Sequence, residues 1–135
     1  MLYDITLLTD SRYVAPVNAG WYELNILKED QLITAALEKR GFQVTRINWD
    51  NADFDWKQTR AAVFRTTWDY FHRFAEFSAW LDRVSSETQF INPLSTIRWN
   101  MDKHYLGDLQ SRNIRIPPTV FIKQDDNRTL SQIAT

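Results

Sequence analysis

The sequence predicts an α/β fold in which a mostly parallel sheet is flanked by helices. Three observations carry that expectation. Short apolar runs alternate with amphipathic stretches in the order strand, helix, strand, strand, helix, strand, helix. Strands joined through helical connections pair in parallel, because a crossover is needed to bring the chain back to the same edge. Finally, 44% of the 135 residues are apolar and 14% aromatic, enough for one compact domain that buries roughly two-thirds of its unfolded surface.

The first strand is the apolar run Ile5 to Leu8, closed by Thr9-Asp10-Ser11, and a loop follows through Pro16 and Gly20. A helix is then expected with Glu29-Asp30 in its first turn. Leu32, Ile33, Ala36 and Leu37 form its inner face, and Lys39-Arg40-Gly41 is its basic end and stop. Phe42 to Trp49 alternates apolar and polar residues and reads as the second strand. After a polar turn over Asn51 to Trp56, Ala61 to Phe64 forms a third strand that opens into the loop Arg65 to Arg73.

Phe74, Phe77, Trp80, Leu81 and Val84 recur at three- and four-residue intervals and define a second helix. Phe90-Ile91 is a short fourth strand, ended by Pro93 through the restriction that proline places on its predecessor. A third helix spans about Lys103 to Arg112 with Tyr105, Leu106 and Leu109 inward, capped by Asn100 or Asp102. Beyond Pro117-Pro118, the β-branched and aromatic run Thr119 to Ile122 reads as a strand, and Leu130 to Ile133 starts a helix. That last strand has no later partner in the sequence, so further chain is expected after residue 135.

Composition excludes several function classes. Sixteen basic against seventeen acidic residues give a net charge of -1, with no basic stripe of the kind a phosphate backbone selects, so no nucleic-acid partner is expected. Cysteine is absent and only two histidines are present, which rules out disulfides and thiolate metal centres and leaves too few ligands for an ordinary zinc site. No metal ligands are assigned. Met1 to Thr9 lacks a basic leader and is too short to span a bilayer, so the expectation is a cytoplasmic protein without a membrane partner.

Candidate site residues come from the rule that ligands gather at the carboxyl ends of parallel strands. It selects the loops Asp10 to Asn18 and Arg65 to Arg73. Arg65, with Thr66, Thr67 and Asp69, sits where a guanidinium can hold a carboxylate or phosphate through two bonds. The competing reading is an Arg65 to Asp69 ion pair that shapes the turn. Asp10 and Arg12 occupy the first loop, with a plain solvated loop as the alternative. Trp68 and Tyr70 read as packing residues, and His72 and His104 as surface or helix-end residues. Gly-rich phosphate loops and nucleophile elbows are missing. Lys103 opens a helix where a cation opposes the local dipole, a placement that gains if a phosphate sits nearby.

Asn100-Met101-Asp102-Lys103, followed by Leu106 and Leu109 and then Asn113-Ile114-Arg115-Ile116-Pro117-Pro118-Thr119, resembles the start of the ATP-grasp fold. Bacterial glutathione synthetases, D-alanine:D-alanine ligases and a D-cycloserine ligase share that pattern. Phe64-Arg65-Thr66-Thr67-Trp68-Asp69-Tyr70 and Asn92-Pro93 most resemble the glutathione-synthetase-like and D-cycloserine-ligase-like branch.

The resemblance implies a Rossmann-like preATP-grasp domain over residues 1–98, on the substrate side, and the first elements of an ATP-grasp domain over 99–135. It implies a ligase that uses ATP and magnesium to phosphorylate a carboxylate, which an amine then attacks. The substrate would be a small amino acid or peptide. Lys103 matches a lysine that contacts nucleotide phosphate, whereas the second nucleotide lysine and the magnesium ligands would lie beyond residue 135, leaving this stretch alone inactive. Asn113 replaces a glycine of the pattern, a tolerable change because asparagine also adopts left-handed geometry. Two alternatives remain at this point: a non-catalytic α/β binding module, and a surface for homodimer formation.

Overall fold

The computed structural model describes residues 1–123 and 125–133. The chain divides into two compact units, Met1–Leu94 and Ser95–Thr135. The first holds a four-stranded sheet in the order β2-β1-β3-β4, formed by β1 (Tyr3–Thr9), β2 (Val44–Asn48), β3 (Thr59–Thr66) and β4 (Gln89–Ile91). All three pairings are parallel, with Leu7 beside Arg46 and Val63, Leu8 beside Ile47 and Phe64, and Ala62 beside Phe90. The predicted α/β architecture is therefore the one observed, and every strand ends at the same edge.

Two helices connect the strands. α1 (Trp21–Glu38) joins β1 to β2, and α2 (Phe74–Val84) joins β3 to β4. The strand order runs outward in opposite directions from the β1 and β3 pair, so right-handed crossovers put the two helices on opposite faces of the sheet. Side-chain parity agrees: Phe64 meets Phe77 and Trp80 of α2, while its neighbour Arg65 bonds Asp30 of α1.

The α2 face is an aromatic core. Trp49, Trp56, Phe77 and Trp80 are buried, and their rings meet edge to face at 5.0 Å for Trp49 with Phe77 and 5.2 Å for Trp56 with Trp80. The helical spacing seen in the sequence correctly located Phe77, Trp80, Leu81 and Val84 on the buried face, while Phe74 at the first turn stays exposed.

The α1 face differs from expectation. The helix begins eight residues before Glu29, with the Gly20 N–H donating to Glu23 Oε2 at 3.0 Å across its first turn. Its buried residues are Ile26 and Asp30, whereas Leu32 is 59% exposed. The docking stripe runs through Ile26, Asp30, Ile33 and Leu37, so the apolar periodicity found half of it, in the half-buried Ile33 and Leu37, and misassigned the exposed Leu32 and Ala36. The stop was read correctly. Gly41 has φ +87, and its N–H and that of Phe42 return to the carbonyls of Glu38 and Leu37, closing the last turn in the left-handed conformation that glycine adopts most readily.

The second unit takes in α3 (Leu94–Met101) from Ser95 onward, α4 (Tyr105–Ser111) and the short α5 (Leu130–Ile133). α3 was not anticipated; Asn92-Pro93 just before it is an ordinary helix-start signal that the weak periodicity of LSTIRWNM masked. Asp102, not Asn100, satisfies the turn before α4, accepting the His104 N–H at 2.9 Å and its ring nitrogen at 2.7 Å. The expected left-handed asparagine is present: Asn113 has φ 60, and the N–H groups of Asn113 and Ile114 close on Gln110 and Leu109. Thr119 to Ile122 is not a strand. It runs without a ladder partner among the described residues, and β propensity without a neighbour to bond does not make a strand. Among the described residues no helix is long and apolar enough to cross a membrane.

Candidate functional site at the carboxyl edge of the sheet

β1 and β3 lie side by side, and their pairing shifts between Leu8 and Thr9, so the last residues Thr9 and Thr66 come opposite one another. Their hydroxyl groups are 2.6 Å apart and fully buried. Asp10 follows immediately, with its N–H donating to the Thr66 carbonyl at 3.0 Å. The two loops selected from the sequence therefore begin at adjacent points, and Asp10, Thr66 and Thr67 are all buried there.

Asp10 is wholly buried. Its carboxylate accepts the Arg12 backbone N–H at 3.0 Å, Arg12 Nε at 3.0 Å and Arg12 Nη2 at 2.7 Å. This is a two-bond carboxylate–guanidinium fork that also caps a short helical turn over Ser11–Tyr13. The Arg12 side chain nevertheless remains 57% exposed. The solvated-loop alternative thus fails for Asp10 but describes the outer edge of Arg12. The Asp10 hydrogen bonds hold the Arg12 guanidinium above its ordinary pKa.

Arg65 does not pair with Asp69. Its Nε donates to Asp30 at 3.0 Å and its Nη2 to Glu29 at 2.8 Å, because its place on β3 turns it toward α1. Asp69 lies on the other side, where it accepts Trp49 Nε1 at 2.8 Å and Arg73 Nη1 at 2.9 Å. Arg73 also reaches Asp50 at 2.7 Å and Glu76, and its guanidinium lies over the Trp49 ring at 4.7 Å. This cluster fastens the Arg65 to Arg73 loop to the end of β2. Trp68, 39% exposed, packs on Tyr13 edge to face at 5.8 Å and on Tyr22.

Two residues that sequence reading passed over organise the α1 side. Asp30, 1% exposed, receives Arg46 Nε at 2.6 Å as well as Arg65. Arg46 then donates Nη1 to the carbonyls of Tyr13 at 2.6 Å and Val14 at 3.3 Å. The available signal was an arginine at an inward position of a strand, facing an acidic residue in the preceding helix.

The Asp50 carboxyl shows how strongly this edge is charged. Burial works to raise its pKa, but hydrogen bonds from Asn48 and Arg73 outweigh that effect and leave it below the ordinary carboxylate value. A group with a depressed folded pKa contributes stability above its unfolded value of about 3.9 and loses it as the pH falls through the folded value. The difference in urea midpoint between the wild type and Asp50→Asn should therefore be constant near neutrality and shrink below about pH 4. A difference that stays flat to pH 2.5 would contradict this assignment.

Lys103 lies in the second unit, in the turn between α3 and α4. It is exposed, its Nζ is 5.5 Å from the Tyr105 ring centroid, and it has no carboxylate partner among the described residues. That free cation suits an anionic ligand. No cluster of three or more His, Asp or Glu side chains able to hold a metal ion occurs among the described residues.

Taken together, a parallel sheet with helices on both faces, and with buried polar groups and a half-exposed, carboxylate-oriented arginine at its carboxyl edge, defines an α/β domain of the doubly wound class. Residues 5–92 match the family described as D-cycloserine synthetase DcsG, N-terminal domain, and the chain belongs to that family. A relative from Streptomyces lavendulae, the cycloserine biosynthesis protein DcsG, is 39% identical over 75 residues, covering 56% of this chain and 25% of the relative. The crystal structure of D-cycloserine synthetase DcsG superposes with a TM-score of 0.71 at 30% identity, over 84% of this chain and 35% of that one. The chain thus spans about a quarter to a third of the length of the proteins it matches.

Proposed function

We propose that this chain is the substrate-side portion of an ATP-dependent carboxylate–amine ligase, and that a ligand carboxylate sits against the open edge of Arg12. The observation that carries this reading is the buried Asp10, which takes Nε and Nη2 of Arg12 and leaves Nη1 on a half-exposed guanidinium. An arginine so fixed does not lose the conformational freedom that a surface arginine would lose on binding. Thr66, Thr67 and Asp69 shape the neighbouring loop, and Arg65 braces it from the α1 side.

In such a ligase ATP would supply the phosphoryl group, with magnesium, that activates the substrate carboxylate for attack by a nitrogen nucleophile. What the present residues contribute is binding and charge. Arg12 neutralises and orients the carboxylate, and Lys103 offers an unpaired cation to nucleotide phosphate. The relatives are named for cycloserine synthesis, which supports trying amino acids and their derivatives first.

The test is ADP release by the full-length protein with ATP, magnesium and a panel of D- and L-amino acids and their derivatives. One member should stimulate release. Arg12→Ala should raise KM for that substrate roughly 10- to 100-fold, the value of a lost charged hydrogen bond, and Lys103→Ala should raise KM for ATP. No stimulation across the panel would count against the ligase and favour a binding module. Unchanged KM values in the variants would remove those two side chains from the site.

A further inference from the structure

Arg12 is held from below as well as from the side. Asp10 fixes its guanidinium, but the loop that carries it makes few backbone hydrogen bonds of its own: Tyr13 N–H to Asp10 and Val14 N–H to Ser11. The next two carbonyls, of Tyr13 and Val14, are both taken by Nη1 of Arg46, a residue of β2 thirty-three and thirty-two positions away. Arg46 stands beside Leu7 in the register, so it projects from the sheet on the α1 side beneath this loop. Its Nε is locked on Asp30 at 2.6 Å, and its Nη2 lies 3.4 Å from the Thr9 hydroxyl. Asp30 is in turn fixed by Arg65 from β3.

We infer that Arg46 is the positioning residue for the Arg12 loop, linking β2 to the placement of the guanidinium that follows β1. The inference rests on the proposed ligand role of Arg12, and its chemistry is specific to arginine. One planar fork spans a carboxylate, two carbonyls and a hydroxyl in three different elements. A lysine offers three donors at a single point and cannot span Asp30 and Tyr13 together. Arg46→Lys therefore keeps the charge and removes the geometry.

The experiment uses Arg46→Lys in the full-length protein, with two measurements. Amide hydrogen exchange over residues 11–18 should quicken at least tenfold while β1 and β3 remain protected. In the ADP-release assay, KM for the amino-acid substrate should rise about tenfold, with kcat and the KM for ATP within twofold. Loop exchange that matches the wild type would overturn the inference, as would an unchanged substrate KM in an active enzyme. Loss of protection throughout the sheet, or failure to fold, would show that Arg46 is merely structural and overturn it too. A wild type with no substrate-stimulated ADP release would defeat the ligase reading alone, because the exchange measurement still decides the fate of Arg46.

Discussion

Asp30→Ala is expected to destabilise this chain by about 3–5 kcal/mol, the range for removing one partner of a buried ion pair. The carboxylate is 1% exposed and serves two guanidiniums, Arg46 at 2.6 Å and Arg65 at 3.0 Å, whose side chains are 17% and 27% exposed. Without it, two like charges face one cavity on the α1 side. Glu29 still neutralises Arg65 in part, and water can reach both arginines, so the lower end of the range is the better expectation. Against a total stability of roughly 5–15 kcal/mol this is a large fraction. Glu29→Ala is the control: its side chain is 68% exposed, and losing a surface pair costs less than about 1 kcal/mol. Urea unfolding followed by tryptophan fluorescence measures both. An Asp30→Ala loss no greater than that of Glu29→Ala would mean that α1 is held by its apolar contacts alone.

The same triad marks the boundary of what the sequence could disclose. Apolar periodicity located α2 and its four buried residues, short apolar runs located β1, β3 and β4, and polar–apolar alternation located β2. On α1 the inward face is centred on a carboxylate, so the pattern drew the helix eight residues short and named Leu32 as core. The strand-end rule placed Asp10, Arg12 and Thr66 at one edge without any knowledge of pairing, since parallel topology alone brings those ends together. Which carboxylate meets which arginine was not legible. Arg65 and Asp69 are four residues apart, yet Arg65 is still in β3, where it faces α1, while Asp69 lies in the turn beyond the strand and finds Arg73 and Trp49 instead. Distant partners such as Arg46 and the Tyr13 carbonyl become visible only once strand register is known.

The largest single loss should follow from emptying the opposite face. Trp80→Ala removes a side chain that is 4% exposed and touches the rings of Trp49, Trp56, Phe64, Phe77 and Phe90 at centroid distances of 5.2 to 6.1 Å. Tryptophan or phenylalanine to alanine in a core costs about 3–5 kcal/mol. Rings on several sides cannot collapse into the gap without giving up their own edge-to-face geometry, which is worth a further ~0.5–1.5 kcal/mol per pair. The upper end of the range is therefore expected, close to unfolding the domain. Trp80→Phe should behave very differently. It keeps a ring against most of the same neighbours and removes the indole Nε1, which is buried without a hydrogen-bond partner among the described residues. An unsatisfied buried donor carries a penalty of about 1–3 kcal/mol, so its removal offsets much of the lost volume and the net cost should stay below about 1.5 kcal/mol. Urea titrations of the two variants, followed by far-ultraviolet circular dichroism so that the missing indole does not alter the signal, separate the contributions. Equal losses for alanine and phenylalanine would show that the indole's six-membered half is not what fills the core and that Nε1 has a partner after all.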